Sequence, residues 1–156
     1  MNRTKVASGG FSLIEVMIVL VIIGVLLLVA TPGYQESMRK SHRAGGMRDL
    51  MELVSRQERF YAQNSRYTNV IKTPTGLNFM PNDNDDDDPD KPTLSSEGHY
   101  DLRVALCKNP DQVDFSTCYN LLATPRGKQA EDACGTLNVD SKGKRGHSGP
   151  TELTCW

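Results

Sequence analysis

An α+β fold is the reading this chain supports: one long N-terminal helix, membrane-spanning in its first half, packed on a small antiparallel sheet of three to four strands. Three features of the 156 residues predict it. Phe11 to Ala30 is a twenty-residue apolar run interrupted by one charge, Glu15. From Tyr34 to about Asn64 apolar side chains return at helical spacing instead of continuously. After His99, short stretches of strand-forming residues alternate with turn formers. Helix first and strands afterwards is the order of an α+β chain, not of a βαβ one.

The chain divides accordingly into 1–10, a leader; 11–31, the apolar helix; 32–64, an amphipathic continuation; 65–98, a connecting loop; and 99–156, the sheet. At about 1.5 Å rise per residue the apolar helix is about 30 Å long, the thickness of a bilayer's hydrocarbon core. Arg3 and Lys5 precede it, the basic flank that stays on the cytoplasmic side. A secretory signal shares that start, but its apolar core is shorter, about 7–15 residues, and a small-residue cleavage site follows it. Here Thr31-Pro32 follows, a poor cleavage neighbour. A plain single-pass anchor accounts for the length but not for Glu15. A carboxylate deep in an apolar helix costs roughly 2.5–3.5 kcal/mol on insertion scales, so a charge kept there has a partner and a task.

The string Gly10-Phe11-Ser12-Leu13-Ile14-Glu15-Val16-Met17 resembles the processing and methylation site of type IV pilins and pseudopilins. The resemblance implies cleavage between Gly10 and Phe11 by a membrane-embedded prepilin peptidase, N-methylation of Phe11, and retention of the apolar helix as temporary anchor and then as packing core of a filament. It gives Glu15 its task in assembly. The new α-amino group of one subunit's Phe11 is neutralised by the next subunit's carboxylate, and a buried pair of this kind selects register more than it adds stability.

Pro32-Gly33 should kink or loosen the helix, since proline removes a backbone donor and clashes with the preceding turn. Beyond it Met47, Leu50, Met51, Val54 and Tyr61 form one stripe, expected to pack on the sheet, with Arg48, Glu52, Arg56 and Arg59 off it. Gly45-Gly46 is a weak point, costing up to about 1 kcal/mol per glycine against alanine. Pro32-Gly33-Tyr34-Gln35, Arg39-Lys40-Ser41-His42-Arg43-Ala44 and Arg56 to Asn64 resemble minor pilins of the PilE type, from which Gly45-Gly46 departs.

Between Ser65 and Gly98 no apolar periodicity survives, which reads as a loop over the surface. Asp83, Asp85 and Asp87 mimic the start of a calcium loop, but Asp88 stands in place of the turn glycine and Leu94 in place of the bidentate glutamate, so a solvated acidic loop is expected and no metal. Strands are expected at Tyr100–Leu106, Tyr119–Thr124 and Gly135–Asp140, with Thr151–Trp156 as a fourth, in an antiparallel meander. Four cysteines allow three connectivities, and their place on the exported side makes disulfides the default. The expected pairs are Cys107–Cys118, closing a loop between adjacent strands, and Cys134–Cys155, which the family resemblance implies as a tie on the C-terminal loop. Ala133 to Leu137 and the ending Thr154-Cys155-Trp156 also look like PilE-type minor pilins.

Function follows the same resemblance. The chain is expected to be a structural, minor subunit of a type IV pilus, supporting assembly, twitching motility and adhesion. It would lie in the inner membrane as a single-pass protein before joining a fimbrium at the cell surface. Its partners would be other pilin subunits, the prepilin peptidase and the inner-membrane assembly machinery. His42, His99 and His147 are scattered, with no nucleophile pattern beside them, so neither catalysis nor a cofactor is expected. The net charge of −1 becomes −3 without Arg3 and Lys5 and exerts no general pull on nucleic acid. An alternative is a DNA-binding competence pilin that captures DNA through Arg126, Lys128, Lys142, Lys144, Arg145 and His147, which turns could bring to one end of the sheet. It ranks second, because such loop cations are commonly just solvated and no aromatic flanks them for base stacking. A type II secretion pseudopilin is a further alternative, against which the disulfide-tied ending argues.

Gly10→Glu should leave the uncleaved precursor in the membrane, because the peptidase must fit the leader's last residue beside Phe11. Intact mass of the purified unmutated protein should correspond to a chain beginning at Phe11; any other start contradicts the processing assignment.

Overall fold

The computed structural model describes residues 11–79, 91–107 and 114–156; within the helix, the side chains of 28–32 lie outside that description. Gly10 and the acidic run 83–90 are likewise outside it. The chain separates into two units, the first ending at Met38 and the second running from Arg39 to Trp156.

In the first unit the backbone enters a helix at Leu13. This helix, α1, extends over Leu13–Asn64 and continues without interruption through positions 32 and 33. Every side chain from Phe11 to Leu27 is exposed. Among the described residues no helix is long and apolar enough to cross a membrane; the run read from the sequence extends into 28–32, beyond the side chains described.

The second unit holds the rest of α1 and a five-stranded sheet in sequential order: β1 (Thr93–Leu94), β2 (Tyr100–Ala105), β3 (Asn120–Pro125), β4 (Leu137–Asp140) and β5 (Arg145–His147). All pairings are antiparallel, with Leu102 opposite Ala123, Leu121 opposite Val139 and Leu137 opposite His147. Successive strand side chains point to opposite faces. Tyr100, Leu102, Leu121, Ala123, Leu137 and Val139 are thus buried together, and Leu50 and Leu53 of α1 join them in one core.

Among the described residues five strands replace the three or four expected. β1 is a two-residue edge inside the presumed loop, and the fourth strand expected at Thr151–Trp156 is turn and coil. The strand beside β4 is instead Arg145–His147. The C-terminal segment serves it differently: Cys134 is bonded to Cys155, and the Trp156 indole donates to the Gly146 carbonyl at 2.8 Å. Cys107 is bonded to Cys118, and both pairs have Cα separations of 6.1 Å or less, ordinary for a disulfide.

The helix face differs from the expected stripe. Met51 and Tyr61 are exposed, whereas Gly46, Asp49, Leu53 and Gln57 turn inward with Leu50. Asp49 accepts from the Ser96 amide at 2.7 Å and its hydroxyl at 3.1 Å. The Gln57 amide donates to the Thr68 carbonyl and accepts from the Thr68 amide. These polar side chains supply partners that loop backbone lacks once it leaves water. Residues 65–79 are accordingly not a surface loop, because Tyr67, Ile71, Leu77 and Phe79 enter the core. Ser65, at φ 54°, ends the helix in the left-handed conformation that reverses the chain.

Gly45-Gly46 is a contact, not a defect. A Cβ on Gly45 would come within 2.7 Å of the Glu97 carboxylate, and one on Gly46 within 2.9 Å of the Tyr100 ring. The helix gives up propensity here so that β2 can approach it. Gly46→Ala should therefore destabilise the chain by about 1–3 kcal/mol through overpacking, despite alanine's better helix propensity. Urea unfolding of the detergent-solubilised protein measures this; a gain in stability would contradict the close approach.

Candidate functional site

Two surfaces and one buried polar cluster carry the chemistry of this chain. The first surface is the helix from Phe11 to Leu27. A helix that packs on its own domain exposes a polar face and hides an apolar one. This one is apolar all round and uncovered all round, with Phe11 84% and Leu20 62% exposed. Such a surface is a contact surface for lipid or for other chains. Glu15 lies in its first turn, where its amide donates to the Ser12 carbonyl at 3.1 Å and a negative side chain complements the helix dipole.

The buried cluster joins α1 to the segment after β3. A short 3-10 helix, Gly127–Glu131, leads to Asp132. Arg43 holds the Asp132 carboxylate with two hydrogen bonds, at 2.9 and 2.5 Å, and both side chains are largely removed from water. The same carboxylate accepts from the Gln129 amide at 2.9 Å and from the Cys134 backbone at 3.1 Å. Gln129 also donates to the Arg39 carbonyl and the Tyr100 hydroxyl, and His42 Nδ1 lies 3.2 Å from its amide oxygen. His42 stacks on His99, ring centroids 3.6 Å apart. Arg39 and Glu131 form an outer ion pair.

Burial would raise the Asp132 pKa, but the hydrogen bond from Arg43, the Cys134 amide and the Arg43 charge outweigh it and hold the carboxyl below its ordinary value. Burial pushes the Tyr100 phenol up to about 12. His99 is lowered, first by burial and then by the neighbouring His42, with Glu97 opposing. Among the described residues no group of three or more His, Cys, Asp or Glu could hold a metal ion.

The basic residues do not converge as the sequence suggested. Asn120 at the start of β3 lies opposite Asp140 at the end of β4, so Arg126 and Lys128, beyond the other end of β3, lie at the opposite end of the sheet from Lys142, Lys144 and Arg145. Arg126 pairs with Asp101 at 3.3 Å. At the β4–β5 turn the Asp140 carboxylate accepts from the Lys142 and Lys144 amides, both at 2.9 Å, which fixes the turn. The Arg145 guanidinium lies over the Trp156 ring, 5.4 Å from its centroid, so an aromatic does stand beside this group. Nothing in sequence spacing signals that contact, because the final residue reaches it through the Cys134–Cys155 tie.

Residues 32–138 match the family model described as "Type IV minor pilin ComP, DNA uptake sequence receptor", and residues 6–31 match the prokaryotic N-terminal methylation motif. The type IV major pilin protein PilA of Myxococcus xanthus is 33% identical over 67 residues, a match spanning 43% of this chain and only 30% of that protein. The type II secretion system core protein G of Pectobacterium carotovorum is 27% identical over 146 residues, covering 85% of this chain and 86% of that one. Among solved structures, a type IV pilin from Shewanella oneidensis (22% identity, TM-score 0.45) covers 76% of this chain and 97% of its own. The non-core minor pilin PilV of Neisseria meningitidis (14% identity, TM-score 0.46) covers 76% and 94%.

The cluster predicts two acid phases in stability. His99, its folded pKa lowered, contributes stability that is full above about pH 6.5, the unfolded value, and is lost as pH falls toward the folded one. Asp132, also lowered, contributes above about pH 4, and that share is lost as pH falls through its folded value. Thermal midpoints against pH should show both phases, and His99→Phe should abolish the first alone. Asp132→Ala, which takes two hydrogen bonds from the largely buried Arg43 guanidinium, should cost about 3–5 kcal/mol at neutral pH.

Proposed function

The chain belongs to the type IV minor pilin family, and on that premise we propose that it is built into the pilus fibre through the exposed apolar helix, with Phe11 and Glu15 setting its register. The observation that carries this is the helix uncovered on all sides from Phe11 to Leu27. Before assembly the inner membrane covers that surface, with the chain as a single-pass protein; prepilin peptidase cuts between Gly10 and Phe11, and Phe11 is methylated. The pilus assembly machinery then transfers the helix from lipid to neighbouring subunits. Both surroundings are apolar, so the transfer carries no large hydrophobic penalty. In the fibre the Glu15 carboxylate faces the α-amine of a neighbour's Phe11. The role is structural and not enzymatic, serving assembly, twitching motility and adhesion.

A second reading, DNA capture, is favoured by one structural feature: Lys142, Lys144 and Arg145 share one rigid turn, and Trp156 lies against Arg145. The family's description as a DNA uptake sequence receptor supports it. Core protein G of the type II secretion system represents the pseudopilin alternative. A deletion strain separates the three through twitching, DNA uptake and enzyme secretion.

Glu15→Ala should leave membrane insertion intact, since the cost of a buried carboxylate disappears. It should lower the amount of subunit in sheared pili relative to the membrane pool, because the neighbouring amine stays buried without its partner. Equal incorporation would show that the charge pair plays no part in assembly.

A further inference from the structure

The sheet face turned away from α1 carries a notch of about 300 Å³ whose lining includes Asn120, Asn138, Asp140, Lys144, Arg145 and Gly146. Asn120 and Asn138 alternate outward from the buried Leu121 and Val139, and the pairing of Asn120 with Asp140 and of Asn138 with Gly146 brings them side by side. Gly146 makes the room: a Cβ there would stand 2.8 Å from the Asn138 amide oxygen. Asp140 cannot swing freely, because its carboxylate is held by the Lys142 and Lys144 amides. Asn138 reaches toward the Asn120 amide oxygen at 3.5 Å. Two amides and a fixed carboxylate on a rigid sheet are positioned groups, more exact than groups on a free loop.

We propose that this notch reads the edge of a single nucleobase, with Asn120, Asn138 and Asp140 as the specificity-determining residues and Lys142 and Lys144 holding the adjoining phosphates; the proposal rests on the DNA-capture reading. The division of labour is general: phosphate contacts position nucleic acid, and base-edge contacts specify it. Each wall residue supports it. A planar amide both donates and accepts, which matches the donor and acceptor side by side on adenine. A carboxylate accepts from an exocyclic amine, as on cytosine or adenine, and repels a carbonyl edge or a phosphate. Asp140 thus excludes the backbone from the notch and directs it to the lysines. The volume, at the lower end of small-ligand sites, suits one base and not a long glycan or a folded peptide. The expected preference is for bases bearing an amino group.

Equal-length single strands of oligo-dA, oligo-dC and oligo-dT are the probes, titrated against the detergent-solubilised full chain by fluorescence anisotropy at several salt concentrations. The unmutated protein should bind dA and dC on the order of tenfold tighter than dT. Asn120→Ala/Asn138→Ala should bring the three within about twofold while leaving dT binding unchanged. Lys142→Ala/Lys144→Ala should weaken all three alike and make the salt dependence shallower. Asn138→Ser, with the thermal midpoint as a folding check, should lose part of the preference should the double variant fail to fold. Equal binding of all three strands by the unmutated protein, or a preference that survives loss of both asparagines, overturns the base-reading proposal and leaves DNA capture standing. Absence of binding to any strand overturns DNA capture itself, and the proposal with it.

Discussion

An apolar helix with no wet face cannot be left in water, and the behaviour of this chain follows from that. At about 25 cal/mol per Å² of apolar surface, exposing the side chains from Phe11 to Leu27 is far costlier than any local adjustment could offset. Among the described residues every one of them is exposed. Something else must cover them, first lipid and then other subunits, and only a partner whose surface is equally apolar allows the exchange. Glu15 is the exception that gives the exchange a direction. It is poorly placed in lipid and, in the proposed fibre, well placed beside a neighbour's amine, so the proposed charge pair would favour the assembled arrangement over the free anchor.

The second unit solves a different problem, holding a small sheet against a helix with few large side chains. It does so with polar contacts at the margins of a modest apolar core. Arg43 and Asp132, 89 residues apart in the chain, meet in a doubly hydrogen-bonded pair. Gln129 extends the contact to Tyr100 and to the backbone of Arg39. Asp49 and Gln57 do the same for the loops that lead into the sheet. Removing one member of such a pair takes two hydrogen bonds from a largely buried charge, so these contacts define one register of helix on sheet and penalise the others. The glycines at 45 and 46 complete the fit by letting Glu97 and the Tyr100 ring close on the helix backbone.

What was legible in the sequence was the part governed by apolar pattern. The long helix, the alternation that makes Tyr100–Ala105 and Leu137–Asp140 strands, and the turn formers between them all follow from local residue types. The parts that were not legible share a cause. Asp49 and Gln57 face inward, and a pattern that equates polar with exposed assigns Met51 and Tyr61 to the buried face instead. Tyr67, Ile71, Leu77 and Phe79 enter the core at irregular spacing, so no periodicity announces them. The two groups of basic residues, Arg126 with Lys128 and Lys142 with Lys144, looked like neighbours because strand register was unknown; the antiparallel pairing of β3 and β4 sends them to opposite ends. Trp156 beside Arg145 is a product of the Cys134–Cys155 tie, which no local motif encodes.

In the proposed fibre other pilin subunits cover the apolar helix. A photo-crosslinking amino acid placed at Leu20, which is 62% exposed here, tests it most directly. After irradiation of intact piliated cells, pili are sheared off and resolved by denaturing electrophoresis and mass spectrometry. A crosslinked product joining this chain to another pilin subunit is expected in the sheared fraction, with lipid adducts confined to the membrane fraction. A chain absent from sheared fibres, or present there with position 20 crosslinked to no other subunit, would contradict it.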